Sequence, residues 1–460
     1  MQRPPAPFRD ELAAMLRLAA PLALANLLQS AVYAVDVMFV AHLGQEALAA
    51  SSLSTAVFGL MMWCFSGLTG AVAPLIAAEL GRRRHAVREV RRSVRMALWL
   101  ALLLGLAGMA VCQFGEPILR AAGQDAHVAR MAGGFMALLC WSMIPQIACN
   151  VLRTFIAALG RPVFATAITA LAIAVNAAGN YAFVFGHFGA PALGLQGSAL
   201  STILVALVTL ATYCAAIRAD RRLRRYRIFG RWWRPEWPRM REIVRLGAPI
   251  ALIVIAEGGF FGSAAFLMGL IGAAQLAAHA VALQLAAIFF QIPMGIGQAA
   301  TIRVGYHFGA GNREACGRAG WAAVVACLGF QLIGTSVMLF APRLALRIYV
   351  DTELPANALM VRFAVQYLMV AAAFQLFDGL QAVAAGALRG LQDTRMPMVL
   401  ALFGYWVVGF ATAVLLGFGT PLSGLGVWIG LATGLVVVAA LLLWRWARRD
   451  RLDLMPAVAS

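Results

Sequence analysis

Twelve long apolar stretches separated by short polar loops constrain this chain more than any other feature. Crossing the hydrocarbon core as a helix takes roughly 20 apolar residues. Stretches of that order run near 14–40, 47–78, 94–115, 127–157, 163–185, 193–216, 242–270, 276–306, 318–341, 358–388, 396–417 and 423–446. A helix satisfies its own backbone hydrogen bonds inside lipid, so the pattern predicts an all-α polytopic membrane protein. Composition points the same way: 62% of residues are hydrophobic and 12% charged, against about 45–50% and 25% in soluble domains.

The formal charge is +18, and all 37 basic residues are arginine. Gathered on one face of a folded domain, that charge would point to nucleic acid. Here it is divided among clusters between apolar runs, which is the pattern of membrane loops and argues against a nucleic-acid partner. The second loop carries Arg82, Arg83, Arg84, Arg88, Arg91, Arg92 and Arg95, the fourth Arg161, the eighth Arg313 and Arg318, and the tenth Arg389 and Arg395. The sixth, from Arg218 to Arg245, is the densest and adds Trp232, Trp233 and Trp237. Odd-numbered loops around Gly44, Gly189, Gly272 and Gly419 have no arginine. Positive loops stay inside, so both termini are expected in the cytoplasm of a bacterial cell, the chain being multi-pass in its inner membrane. The start, MQRPPAPFRDE, reads as a retained tail. Seven cysteines are scattered without a CxxC or Cys/His cluster, so they read as small core residues rather than metal ligands or disulfides.

An internal repeat narrows the architecture. Shifted by 228 residues, Arg17-Leu18-Ala19-Ala20-Pro21-Leu22-Ala23-Leu24 lies on Arg245-Leu246-Gly247-Ala248-Pro249-Ile250-Ala251-Leu252. Gly44, Gly67 and Gly81 meet Gly272, Gly295 and Gly309, and later, at an offset of 230, Pro191 and Gly194 meet Pro421 and Gly424. Each repeat holds an even number of helices, so both enter from the same side. Two pseudo-symmetric six-helix bundles related by an axis along the membrane normal are the frame of a transporter. The expected division is an N-terminal lobe at 1–218, an arginine-rich linker at 219–241 and a C-terminal lobe at 242–460.

Ionisable groups inside spanning helices are costly and mark function. Asp36, Glu257 and Asp378 qualify. Asp36 corresponds to Ala264 and Glu257 to Gln29, so these acids are not part of the shared packing. Asn176 and Asn180, four apart on one helical face, could join Asp36 in an oxygen-rich set suited to sodium or to a titrating proton. Ser198, Ser201 and Thr202 could complete it. Glu257 and Asp378 could meet as a second set, a site for sodium or a proton, with Phe261 offering a ring face to a cation and Gln29 lining a cavity. Gly258, Gly259 and Gly379 would permit close packing or a bend. The alternative for the asparagines and hydroxyls is interhelical bonding, and for Phe261 core packing. His279 reads as a hydrogen-bonded structural residue, and Arg303 as snorkelling to the cytoplasmic face.

The segments YAVDVMFVAHLG (33–44), PIALIVIAEGGFF (249–261), QAATIRVGYHFGAGN (298–312) and FDGLQAVAAGALRGLQDTRMP (377–397) resemble the NorM branch of the MATE family. The resemblance runs from Arg17 to about Trp446. It implies twelve helices in two lobes and export of cationic amphipathic drugs, driven by sodium or proton entry. It further implies that Glu257 and Asp378 are the C-lobe cation-site acids and Asp36 the N-lobe acid, with Asn176 and Asn180 beside it. One departure stands out: an aromatic hydroxyl found one turn before the tenth-helix acid in some relatives is Phe374 here. The expected protein is a monomeric antiporter contacting membrane lipids and cationic drugs, with no cofactor and no enzymatic activity. The alternatives are a flippase for a lipid-linked or metabolite substrate and, more remotely, an intramembrane enzyme, for which His279 lacks a nucleophile or metal partner.

Overall fold

The computed structural model describes residues 7–82, 86–230, 234–347 and 349–455. Twelve of its helices are long and apolar enough to cross a membrane. They are α1 (Phe8–Ala41), α2 (Gln45–Arg82), α3 (Ala86–Gln113), α4 (Ala126–Ala158), α5 (Pro162–Phe185), α6 (Leu195–Ala219), α7 (Trp237–Ile271), α8 (Ala273–Gly309), α9 (Arg313–Phe340), α10 (Pro355–Gly390), α11 (Arg395–Gly419) and α12 (Gly424–Ala447).

The spans match the apolar stretches, but several helices extend into charged sequence expected to be loop. α3 begins at Ala86, so Arg88, Arg91, Arg92 and Arg95 are helical. Arginine is a good helix former, and a Glu89–Arg92 pair at 3.0 Å supports the first turns. α1 takes up the end of the expected tail from Phe8, with Asp10 and Glu11 against its positive N-terminal dipole. The linker contains a short helical turn, Arg221–Arg224, capped by Asp220, and yields its end to α7 at Trp237. Arg83, Arg84, Trp232, Trp233 and residues 1–6 lie outside the described residues.

By contacts the chain forms two compact units. One is Leu24–Ala251; the other joins the chain up to Ala23 with that from Leu252 onward. Both boundaries fall shortly after a proline inside a long helix, Pro21 in α1 and Pro249 in α7, and the two boundaries are themselves related by the 228-residue repeat. By contacts the first half of α1 therefore belongs with the C-terminal helices, and the first half of α7 with the N-terminal ones.

Specific contacts fix each exchanged segment. In the unit containing the C-terminal helices, Arg303 at the end of α8 grips Glu11 of α1 with two bonds of 2.5 and 2.7 Å. The sequence does not reveal this acid partner of Arg303. His307 lies 3.6 Å from the same carboxylate, and Ala23 sits so close to Gly295 that a Cβ there would meet its Cα at 2.6 Å. In Leu24–Ala251, Arg239 of α7 reaches Ser93 Oγ at 2.7 and 2.9 Å and Glu79 at 3.5 Å. Glu236 pairs with Arg92 and Arg95. Arg239 is the repeat counterpart of Glu11, and Glu79 that of His307, so one contact, Glu11–His307 and Arg239–Glu79, recurs at equivalent positions in both units with the acid on the other partner.

Several irregularities interrupt these helices, among them a turn at Ala71 within α2. A 3₁₀ turn at Cys140–Ser142 breaks α4 ahead of Pro145, which brings no N–H to the ladder. A π-helical stretch, Phe403–Phe410, runs through α11; such stretches gather at functional sites. In α10 the Ala385-Gly386-Ala387 run serves packing. Thr301 Oγ1 of α8 donates to Gly386 O at 2.9 Å, and a Cβ on Gly297 would meet Ala382 O at 2.9 Å. Small residues here let two helix backbones touch.

Candidate functional site

Each unit brings together one of the two acid clusters expected from the sequence. In Leu24–Ala251, Asp36 of α1 faces α5. Asn176 and Asn180 each donate an Nδ2–H to Asp36 Oδ1 at 2.8 Å. The four-residue spacing aims both amides at one oxygen, as the helical repeat requires. Both asparagines are fully buried, and their Oδ1 atoms have no hydrogen-bond partner among the described residues. The amides cannot be turned round, because an oxygen would then face the carboxylate. The result is a half-buried carboxylate with amide oxygens beside it, hard ligands of the kind a sodium ion takes.

The serine and threonine hydroxyls do not complete this set. Ser201 Oγ donates to the Asn176 carbonyl at 3.2 Å, and Thr202 Oγ1 to the Ser198 carbonyl at 3.1 Å. They hold backbone instead of Asp36: Ser201 ties α6 to α5, as the interhelical reading has it, while the Thr202 bond stays within α6. Gly179 permits this close α5–α6 approach: a Cβ there would lie 2.5 Å from Ser201 Oγ.

In the other unit, Asp378 of α10 is 5% exposed and lies within electrostatic range of Glu257 of α7. The Gln381 amide, one turn along α10, donates to Glu257. Tyr405 of the α11 π-stretch is fully buried, feels both acids, and stacks on Phe260 with centroids 5.3 Å apart. Asp378 Oδ1, Gln381 Oε1 and the Tyr405 hydroxyl all lack a hydrogen-bond partner among the described residues. A buried orphan of this kind costs about 1–3 kcal/mol. Three in one cluster mark a place that a cation or proton would complete.

Gln381 and Tyr405 are additions that the sequence pattern does not reveal. Tyr405 supplies the aromatic hydroxyl that Phe374 cannot; Phe374 is instead buried against Trp428 at 5.5 Å. Phe261 packs on the core at the edge of Phe260 and does not face the acids through a stack. Gly379 allows Gln331 and Cys327 to crowd α10: a Cβ would meet them at 2.6 and 2.9 Å. Gly259 sits where a Cβ would touch Trp406 at 3.0 Å. Gln29 is exposed in its unit. His279 departs from expectation, since among the described residues neither ring nitrogen has a hydrogen-bond partner and the ring meets Trp428 edge-on at 5.4 Å. Aromatic packing, not hydrogen bonding, holds it.

Among the described residues no group of three or more His, Cys, Asp or Glu side chains could hold a metal ion. The chemistry on offer is reversible exchange of charge at carboxylates flanked by neutral oxygens.

A family profile described as MatE matches residues 21–182 and 249–415, one block in each repeat. The chain is 47% identical over 445 residues to a probable multidrug resistance protein NorM of Mesorhizobium japonicum, covering 97% of this chain and 95% of that protein. It is 41% identical over 438 residues to a protein of the same description from Brucella suis, covering 95% and 93%. Among solved structures, a multidrug resistance MATE family transporter of the MOP superfamily in an outward-facing conformation matches with a TM-score of 0.85. Identity there is 22%, over 96% of this chain and 97% of that one, a likeness of fold. Matched in both repeats and along nearly its whole length, this multi-pass membrane protein belongs to the MatE family as a NorM-like member, a family of transporters and not of enzymes.

Proposed function

We propose that this protein exports cationic, amphipathic drugs and toxic compounds in exchange for an inward coupling cation, sodium or a proton, by alternating access of its two repeats. The observation that carries the reading is the Glu257–Asp378 pair with its three unpartnered groups. A buried Asp378 and a half-buried Glu257 in mutual range repel as carboxylates unless positive charge joins them. A proton or a sodium ion supplies that charge, and so does a cationic drug; whichever occupies the acids weakens the hold of the other. That competition is what antiport requires. For sodium, the Asp378 and Glu257 carboxylates, Gln381 Oε1 and the Tyr405 hydroxyl form an all-oxygen donor set. The names of the relatives, which are multidrug resistance proteins, support the substrate class. Asp36 with Asn176 and Asn180 is the corresponding cation-linked group of the first repeat. The arginine distribution supports an inner-membrane orientation with both termini in the cytoplasm. Lipids surround a monomeric chain in this reading.

Dye uptake into everted vesicles under an imposed sodium or proton gradient tests the proposal, with Asp378→Asn alongside the wild type. Uptake by the wild type under one gradient, lost in a normally expressed variant, is the expected result. If neither gradient moves any cationic dye, the multidrug reading fails and a flippase for a lipid-linked or metabolite substrate takes its place.

A further inference from the structure

We propose that Arg153 of α4 is the heart of a carboxylate-binding subsite in the Leu24–Ala251 unit, which holds the anionic group of substrates that carry one. The inference rests on the proposed export activity and names a residue that sets its substrate preference.

Arg153 lies within a membrane-length helix, eight residues before the loop residue Arg161. At the helical rise that is about 12 Å along the axis, deeper than a headgroup contact needs. An arginine there is expected to have an acid partner. Among the described residues Arg153 makes no ion pair, and Asp36, the embedded acid of the same unit, is engaged with Asn176 and Asn180. The partners of Arg153 are neutral and distant: Asn26 Oδ1 of α1 at 3.5 Å and Asn150 Oδ1 at 3.4 Å. Both distances are at the outer limit of a hydrogen bond. Arg153 as a residue is half-buried.

A second observation points to the ligand. Asn26 is 6% exposed, and its Nδ2 donor is buried without a partner. Because its Oδ1 faces the guanidinium, that donor lies within a few ångströms of Arg153. A rotated amide would set two donors against each other. A planar guanidinium with spare N–H groups, beside an orphan amide N–H, is a donor-only surface with positive charge. The complementary ligand is an oxyanion, and the planar fork matches a carboxylate held by two parallel bonds. Asn26 falls on Val254 in the second repeat, so the feature is not inherited from the shared scaffold.

Rhodamine B, a zwitterion with a free carboxylate, and rhodamine B ethyl ester, a simple cation on the same frame, form the test pair. Export of each is measured with the full-length protein in proteoliposomes, for wild type, Arg153→Gln, Arg153→Lys and Asn26→Ala. Arg153→Gln is expected to lower rhodamine B export roughly tenfold or more, the worth of a charge-assisted pair, and to leave the ester within about twofold. Arg153→Lys recovers part of the loss by restoring the charge without the fork. Asn26→Ala lowers rhodamine B export by about fivefold, one neutral hydrogen bond. Equal loss of both dyes in Arg153→Gln assigns the residue a structural role and overturns the proposal, as does a wild type that exports the ester but not rhodamine B. An effect seen only in vesicles of anionic lipid overturns it in favour of a lipid phosphate. Failure to export the ester in any form of the protein refutes the export reading itself, which keeps the two failures apart.

Discussion

The two units hold their acids in opposite states of satisfaction. In Leu24–Ala251, one Asp36 oxygen receives two short hydrogen bonds from asparagine amides. In the other unit Glu257 receives the Gln381 amide, while among the described residues Asp378 Oδ1 and the Tyr405 hydroxyl have no hydrogen-bond partner. Duplication produced one scaffold twice, and divergence has given one copy a hydrogen-bonded acid and the other an unsettled pair. An unsettled pair responds to whichever cation arrives, so exchange is assigned to Glu257 and Asp378, with Asp36 in a supporting role.

This contrast can be broken by substitution. Asp378→Asn or Glu257→Gln is expected to reduce gradient-driven dye export to the background of empty vesicles, because each removes one of the charges that cation and drug contest. Asp36→Asn should leave measurable export, reduced roughly tenfold through the loss of charge-assisted bonds from the asparagines. Equal effects at Asp36 and Asp378 would erase the proposed division of labour. Tyr405→Phe removes one neutral oxygen from the pair and leaves the Phe260 stack. Coupling-cation affinity should weaken about fivefold, the worth of a single hydrogen bond, and a titration of export against the cation reads it.

The smallest effect sharpens the comparison by touching neither cluster. Asp125 caps α4, accepting from the His127 and Val128 amides at 2.9 and 3.2 Å. Those bonds, from Val128 first and then His127, hold its carboxyl below the ordinary value. A carboxyl depressed by folding contributes stability above its unfolded pKa and loses that contribution as acid protonates the folded form. Asp125→Ala should therefore lower the melting temperature slightly at neutral pH. The difference from wild type should fade in acid, and dye export should not change.

Much of this contrast is legible in the sequence. Spacing alone puts Asn176 and Asn180 on one face, and the 228-residue repeat isolates Asp36 and Glu257 by pairing them with Ala264 and Gln29. Tyr405 is hidden because it lies in the apolar run FGYWVVGF. The π-stretch that carries it also shifts the helical phase, so ordinary 3.6-residue spacing does not show which neighbours it meets. Gln381 resembles one more polar residue near a motif whose glycine and alanines serve packing. Arg153 is hard to tell from the many arginines that serve as loop charge, and only its neutral surroundings in the fold distinguish it. The exchange of the first halves of α1 and α7 leaves no mark on hydropathy; it is written in contacts such as Glu11–Arg303.

Binding of a fluorescent cationic dye to the purified protein, titrated with sodium at fixed pH and with protons at fixed sodium, tests the central claim most directly. The account predicts that one of the two cations displaces dye competitively from the wild type, and that Asp378→Asn abolishes the displacement. Dye affinity indifferent to both cations in the wild type, or displacement that survives in Asp378→Asn, would contradict it.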